Sequence, residues 1–170
     1  RGRRGRDFQS PPGGNLYFTL VLRLPVDVHR RLPLIVPVAV ARSCREEGVD
    51  ALIKWPNDIW IGSRKLSGML IDAELAAEGP LAFPGIGINV NTDPSTLPGL
   101  SDVATSLRNE LHRDVDREAL LARVCRELES WLVAPAEAVT AAYRALSLIL
   151  GKPVVVHPAG GEPYEAVATG

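Results

Sequence analysis

The chain has 170 residues, 46% of them apolar and 23% charged, and 19 basic against 20 acidic side chains leave a net charge of -1. That balance excludes a disordered tail and a polycation that gathers nucleic acid or anionic membrane, so any anion site must be local. Cys44 and Cys125 are too few for a disulfide framework and match no metal-site spacing with the histidines, which points to a reducing compartment.

In chain order, Arg1 to Gly14 is rich in Arg, Gly and Pro and reads as a loop that feeds a strand from Asn15 to Leu24. Leu34 to Glu47 is apolar nearly all round, as a buried helix would be. Pro33 suits its first turn, Gly48 can close it, and Pro37 inside it is awkward. Short strands are expected over Ala51 to Trp55, Ile59 to Ile61, Lys65 to Glu74 and Leu81 to Asn91, separated by turn-forming residues. Pro84 removes a ladder hydrogen bond and leaves the register of the last of these open. The charge-rich stretch from Arg108 to Glu118 reads as a solvated face. Helical spacing then returns from Asp116 to Leu132 and from Ala136 to Leu150, where Gly151 ends it, and Val154 to Gly170 is strand-like. Strand, helix, several strands and two helices make an α+β layer packing. No apolar run reaches the roughly 18 residues of a membrane helix, because Pro33, Pro37 and Arg42 interrupt the best candidate. No signal peptide precedes the fold, since the basic start leads to Gln9, Ser10 and two prolines, so a cytoplasmic protein is expected.

Four segments carry chemistry. In Arg1-Gly2-Arg3-Arg4-Gly5-Arg6, glycines let backbone amides approach a ligand and arginines offer fork-shaped donors to phosphate oxygens. A solvated basic arm is the ordinary alternative, but the run continues through Asp7-Phe8-Gln9-Ser10-Pro11-Pro12-Gly13-Gly14-Asn15-Leu16-Tyr17 into a strand without a disordered spacer. Lys54-Trp55-Pro56-Asn57-Asp58 places a lysine at a strand end before a turn, with a snorkelling surface lysine as its ordinary alternative. Arg64-Lys65-Leu66-Ser67-Gly68 is a basic turn entering a strand. In Gly85-Ile86-Gly87-Ile88-Asn89-Val90-Asn91, the glycines serve close packing, a bulge or the admission of a ligand.

The order and spacing of these four segments resemble the biotin-protein ligases over essentially the whole chain. The resemblance implies a fold similar to the class II aminoacyl-tRNA synthetase core, a mixed β-sheet flanked by helices, followed by a small SH3-like barrel. On that pattern residues 1–150 are the catalytic domain, with its N-terminal part missing, and 151–170 begin the barrel. It implies an enzyme that uses ATP and Mg2+ to convert biotin to biotinyl-5'-AMP and passes biotin to a lysine of a biotin carboxyl carrier protein domain. By resemblance Arg3 contacts biotin and the adenylate phosphate, Arg1, Gly2 and Arg6 shape a lid, Arg4 and Gly5 join the biotin and adenylate site, and Phe8 supplies an aromatic face where many members have tryptophan. Lys54 matches the family's catalytic lysine. Asn57, Gly68 and Asn89 join the biotin and adenylate site, with Asn91 as a further polar contact. No protein cage holds the metal, and Asp58 is placed to contact a water on Mg-ATP. Trp55 is expected to pack in the core.

The family's Ser-Thr-Asn segment and a glutamine that hold biotin's ring would lie upstream of Arg1. A binding-only remnant is therefore one alternative, and a lipoate-protein ligase is another, which the Arg-Gly loop argues against. A homodimer through the sheet edge is a further option, and nucleic acid would be a partner only through an additional N-terminal domain. His29, His112 and His157 share no motif and read as surface or capping residues, while Cys44 and Cys125 read as small buried hydrophobes on helices.

Overall fold

The structure is a computed structural model that describes residues 13–77, 79–96, 99–158 and 160–169. Its elements run β1 (Leu16–Thr19), β2 (Leu22–Arg23), α1 (Val26–His29), α2 (Leu32–Arg45), β3 (Leu52–Lys54), β4 (Asp58–Ile61), β5 (Arg64–Ala76) and β6 (Gly79–Ile88). Then follow a 3-10 turn (Pro94–Thr96), α3 (Leu107–Leu111), α4 (Arg117–Leu132), α5 (Ala136–Ala145), β7 (Pro153–Val156) and β8 (Tyr164–Val167). β1, β6, β5, β4 and β3 lie side by side in that order, with β2 also on β6. Every strand pair is antiparallel, so the expected mixed sheet is corrected: among the described residues parallel pairing is confined to two isolated bridges, Ile53 with Ser147 and Lys65 with Ala104.

α2 is the helix on which the fold closes. From Ile35 to Ala41 every side chain is buried, and Leu32, Ser43 and Cys44 extend that burial to both ends. It packs against β3, β4 and β5 on one side and against α4 and α5 on the other. A helix apolar on all sides is the form expected of an element sandwiched between two layers. Pro37 is tolerated inside it, because the backbone bond lost is offset by a fully apolar burial site. α4 begins where Asp116 accepts hydrogen bonds from the backbone N–H groups of Glu118 and Ala119, and it buries Leu120, Val124 and Leu128. Cys44 is fully buried, whereas Cys125 is only half-buried on α4.

Two expectations about strands change for one reason. The strand foreseen from Asn15 to Leu24 is broken into β1 and β2, and the break lies opposite Pro84. Thr19 pairs with Gly85 and Leu22 with Ala82 in one unshifted register. Leu20 N–H donates to the Pro84 carbonyl at 3.1 Å, but Pro84 has no N–H to return the bond. The second partner, β5, runs past Pro84 without a shift, with Ile71 opposite it.

The stretch from Arg108 to Glu118 is more than a solvated face. It holds most of α3, capped by Ser106 and closed by His112 in the left-handed conformation at φ 54°, together with the buried Val115. The second helix foreseen to Leu150 stops at Ala145, and the next residues pair with β3: Ile53 donates to Leu146 and accepts from Leu148, both at 2.8 Å. β7 and β8 form a separate two-stranded sheet. No described helix is long and apolar enough to cross a membrane.

Candidate functional site

Antiparallel pairing aligns residues in rows across the strands, and side chains opposite one another share a face. One row reads Leu16, Ile88, Ser67, Ile59, Ile53 and faces the helices; the three isoleucines in it are completely buried. The next row reads Tyr17, Gly87, Gly68, Asp58, Lys54 and faces the other way. A third, on this same open face, reads Thr19, Gly85, Leu70. Three glycines at the middle of this face leave a floor without side chains, walled on one side by Lys54, Asp58 and Trp60 and on the other by Tyr17 and Thr19.

Lys65 joins this wall through an irregularity. Between β4 and β5 the register shifts at Ile59 and Trp60: Ser67 lies opposite Ile59, but Lys65 lies opposite Trp60. The extra residue, Leu66, is a bulge whose side chain is buried. Lys65 and Gly68, three apart, therefore share the open face. Lys65 Nζ lies 2.7 Å from Asp58 Oδ1. A Cβ on Gly68 would lie 2.9 Å from that Nζ and 3.4 Å from that Oδ1, so the glycine is the space in which the ion pair forms. Lys65 is also gripped from outside, its N–H donating to Val103 and its carbonyl accepting from Thr105, each at 2.9 Å. Lys54 Nζ sits 3.5 Å from the centre of the Trp60 ring, a cation–π contact.

The remaining motif residues divide between exposed and structural places. Asn57 is tied to β5: its side-chain amide donates to the Met69 carbonyl and its own carbonyl accepts from Met69 N–H. Asn89 donates to the Thr105 carbonyl at 3.0 Å, and Asn91 donates to and accepts from Val115 at 2.9 Å each way. The Asn91 amide is thus spent on the segment between α3 and α4. Trp55, expected in the core, is 67% exposed. β3 ends at Lys54, so the pleat that would have turned Trp55 inward after Ile53 is gone. Arg1, Gly2, Arg3, Arg4, Gly5, Arg6 and Phe8 lie outside the described residues.

Sequence reasoning gave no role to Lys65 or to Asn15. The Asn15 side-chain oxygen accepts from Val90 N–H at 2.8 Å and Thr92 N–H at 3.3 Å, while its amide donates to the Tyr17 hydroxyl at 2.8 Å. One buried asparagine thereby fastens the Asn89 to Asn91 loop to the start of β1. Its place inside the Asn-Leu-Tyr motif was the available signal. Among the described residues, no three His, Cys, Asp or Glu side chains converge as a metal cage.

A cavity of about 600 Å³ lies elsewhere, lined by Arg64, Asp93, Arg108, Asn109 and His112. Hydrogen bonds from Asn109 and Ser95 hold the Asp93 carboxyl below its ordinary value. Its arginines are already paired, Arg64 with Glu110 at 2.8 Å and Arg108 with Asp114 at 3.3 Å, and none of the motif lysines reaches it. The open face, with two lysines converging beside a bare floor, is the stronger site.

The profile of the biotin/lipoate A/B protein ligase family matches residues 1–91. The bifunctional ligase/repressor BirA of Bacillus subtilis is 35% identical over 129 residues, 73% of this chain and 40% of that protein. The biotin–[acetyl-CoA-carboxylase] ligase of Paracoccus denitrificans is 30% identical over 181 residues, covering 96% of this chain and 73% of that one. The biotin protein ligase of Aquifex aeolicus, solved in complex with biotin and ATP, superimposes with a TM-score of 0.77 at 28% identity over 98% of this chain and 71% of its own. The chain spans about two fifths of the Bacillus protein's length. From motif order, sheet topology and these matches together, the chain belongs to the biotin/lipoate A/B protein ligase family, on its biotin-protein ligase branch.

Proposed function

We propose that the open face activates biotin with ATP and that the activated biotin is then passed to a lysine of a carrier-protein domain. The observation that carries this reading is the pair of ammonium groups, Lys54 and Lys65, on one face above a glycine floor. In the first step a biotin carboxylate oxygen bonds to the α-phosphorus of ATP and the bond to pyrophosphate breaks. In the second the acceptor amine attacks the carbonyl of the mixed anhydride and AMP leaves. Both steps gather negative charge on phosphate oxygens, and cations fixed before the reaction stabilise that charge without reorganising.

Lys54 and Lys65 are the cations we assign to this task, Lys65 with its direction set by Asp58. Asp58 thus serves a lysine through Oδ1, and contact with a water on Mg2+ would fall to its second oxygen. Gly68 and Gly87 leave room for the flat part of a substrate, and Asn57 and Asn89 hold the walls. By the family pattern Arg3, in the run from Arg1 to Arg6, would contact the phosphate. Residues 1–150 form the catalytic domain on this reading, and β7 with β8 begins an SH3-like barrel. We assign the reaction to the cytoplasm. The names of the matched relatives favour biotin over lipoate.

Biotin-dependent ATP–pyrophosphate exchange tests the reading, measured on the chain within its full reading frame beside Lys54→Ala and Lys65→Ala. Exchange that requires biotin and collapses in both variants is expected. Exchange driven by lipoate instead, or retained in full by both variants, would overturn it.

A further inference from the structure

The two lysines of the open face are held by different chemistry. Asp58 stands directly opposite Lys54 in the β3–β4 register, where a cross-strand ion pair would ordinarily form. Its carboxylate turns to Lys65 instead, and among the described residues no carboxylate pairs with Lys54. What Lys54 meets is the face of Trp60, two residues beyond Asp58 on the same strand and the same side. A carboxylate brings a counter-charge that offsets part of the charge it holds, whereas a ring face attracts an ammonium without bringing one.

Trp60 itself is flanked across the strands by Leu52 and Lys65. Its indole N–H is buried without a hydrogen-bond partner. A buried tryptophan usually finds a partner for that group, and leaving it unmet costs stability. A leucine or valine would fill a strand position without that cost, so the feature of Trp60 in use here is its face.

We propose that Trp60 is a positioning residue: its ring holds the Lys54 ammonium over the glycine floor as an uncompensated cation, aimed at an anionic group of the nucleotide substrate. The inference rests on the adenylation reading above and adds to it the device that separates the two lysines. One has its direction fixed by Asp58; the other, among the described residues, meets no counter-charge. Trp60 touches no reacting atom and acts only through Lys54.

The test replaces Trp60 by fluorinated tryptophans carrying one, two or three fluorines, which weaken the negative ring face and barely change its shape, beside Trp60→Phe and Trp60→Leu. Two quantities are read: kcat/KM for ATP in biotin-dependent exchange, and the proton shift of the Lys54 ε-methylene group, which a ring 3.5 Å away moves upfield. Trp60→Leu is expected to lower kcat/KM by about three- to thirtyfold, with Trp60→Phe between, and each fluorine should lower it further. In a Lys54→Ala background the fluorine series should be flat. A flat series with Lys54 present, or an equal slope without it, would overturn the role of Trp60, and the fluorinated forms decide the matter even where Trp60→Leu fails to fold. Should the parent protein show no biotin-dependent exchange, the ligase reading falls and the ε-methylene shift alone decides: an unshifted signal refutes the contact, and a shifted one that returns on fluorination upholds it.

Discussion

Two neighbouring rows of residues cross the same five strands and do opposite work. Leu16, Ile88, Ser67, Ile59 and Ile53 face the helix side, while Tyr17, Gly87, Gly68, Asp58 and Lys54, each one position away, form an open and polar surface. The helix-facing row is continuous in volume, and its cost of disruption is set by packing. The open row alternates charge with missing side chains, and its cost of disruption is set by where a few atoms point. Stability and chemistry are therefore separable in this molecule at a spacing of one residue, and mutations in adjacent positions should report on different quantities.

The sharpest test of that separation pairs Ile53→Ala with Lys54→Ala. Ile53 is fully buried and its removal leaves a cavity, so about 2–5 kcal/mol of stability should be lost, read from the urea unfolding midpoint. Lys54→Ala should leave that midpoint nearly in place. If both variants unfold alike, the two faces are not independent.

On the open face Lys65→Ala should lower biotin-dependent exchange by about 10²–10³-fold, the scale on which loss of one pre-placed donor acts. The half-exposed Lys65–Asp58 pair contributes little to folding, so the unfolding midpoint should barely move. Gly68→Ala is subtler. Its Cβ meets only the flexible end of Lys65 and a carboxylate oxygen, so the chain should fold, while the ammonium is pushed aside. Misplacement of that kind costs up to about a hundredfold in rate. A Gly68→Ala protein with full activity would show that Lys65 does not need its place.

The smallest effect belongs to the helix side. Burial, aided by Glu47, pushes the Cys44 thiol up to about 12 from 9.0. The folded chain keeps a proton that the unfolded chain releases, so this contribution is intact below pH 9 and is lost as the pH rises toward 12. Unfolding midpoints between about pH 8 and 11 should fall less steeply in Cys44→Ala than in the parent.

What could be read from the sequence follows the same division. Apolar runs bounded by turn residues located β3 to β6 and α2, and helical spacing located α4, all within a few residues, because these patterns are properties of the residues themselves. The resemblance singled out Lys54, Asp58 and Gly68, which the fold brings together. Lys65 was passed over for a physical reason. Counting by twos from Gly68 puts it on the helix face, and only the bulge at Leu66 reverses that, a feature without a one-residue signature. Trp55 was misplaced because a large apolar residue is ordinarily buried, whereas β3 ends one position before it. The split between β1 and β2 could have been foreseen only by knowing that Pro84 lies across from it.

The edge of β3 is closed by Leu146 and Leu148, residues more than ninety positions later in the chain. On a ribosome, the strand that carries Lys54 is synthesised long before the segment that completes its hydrogen bonding. Between those moments its outer edge is available for other strands to pair with, and chaperone binding to the nascent chain should be densest in that interval. Lys54 thus rides on a strand whose outer hydrogen bonds are completed only by residues that follow α5.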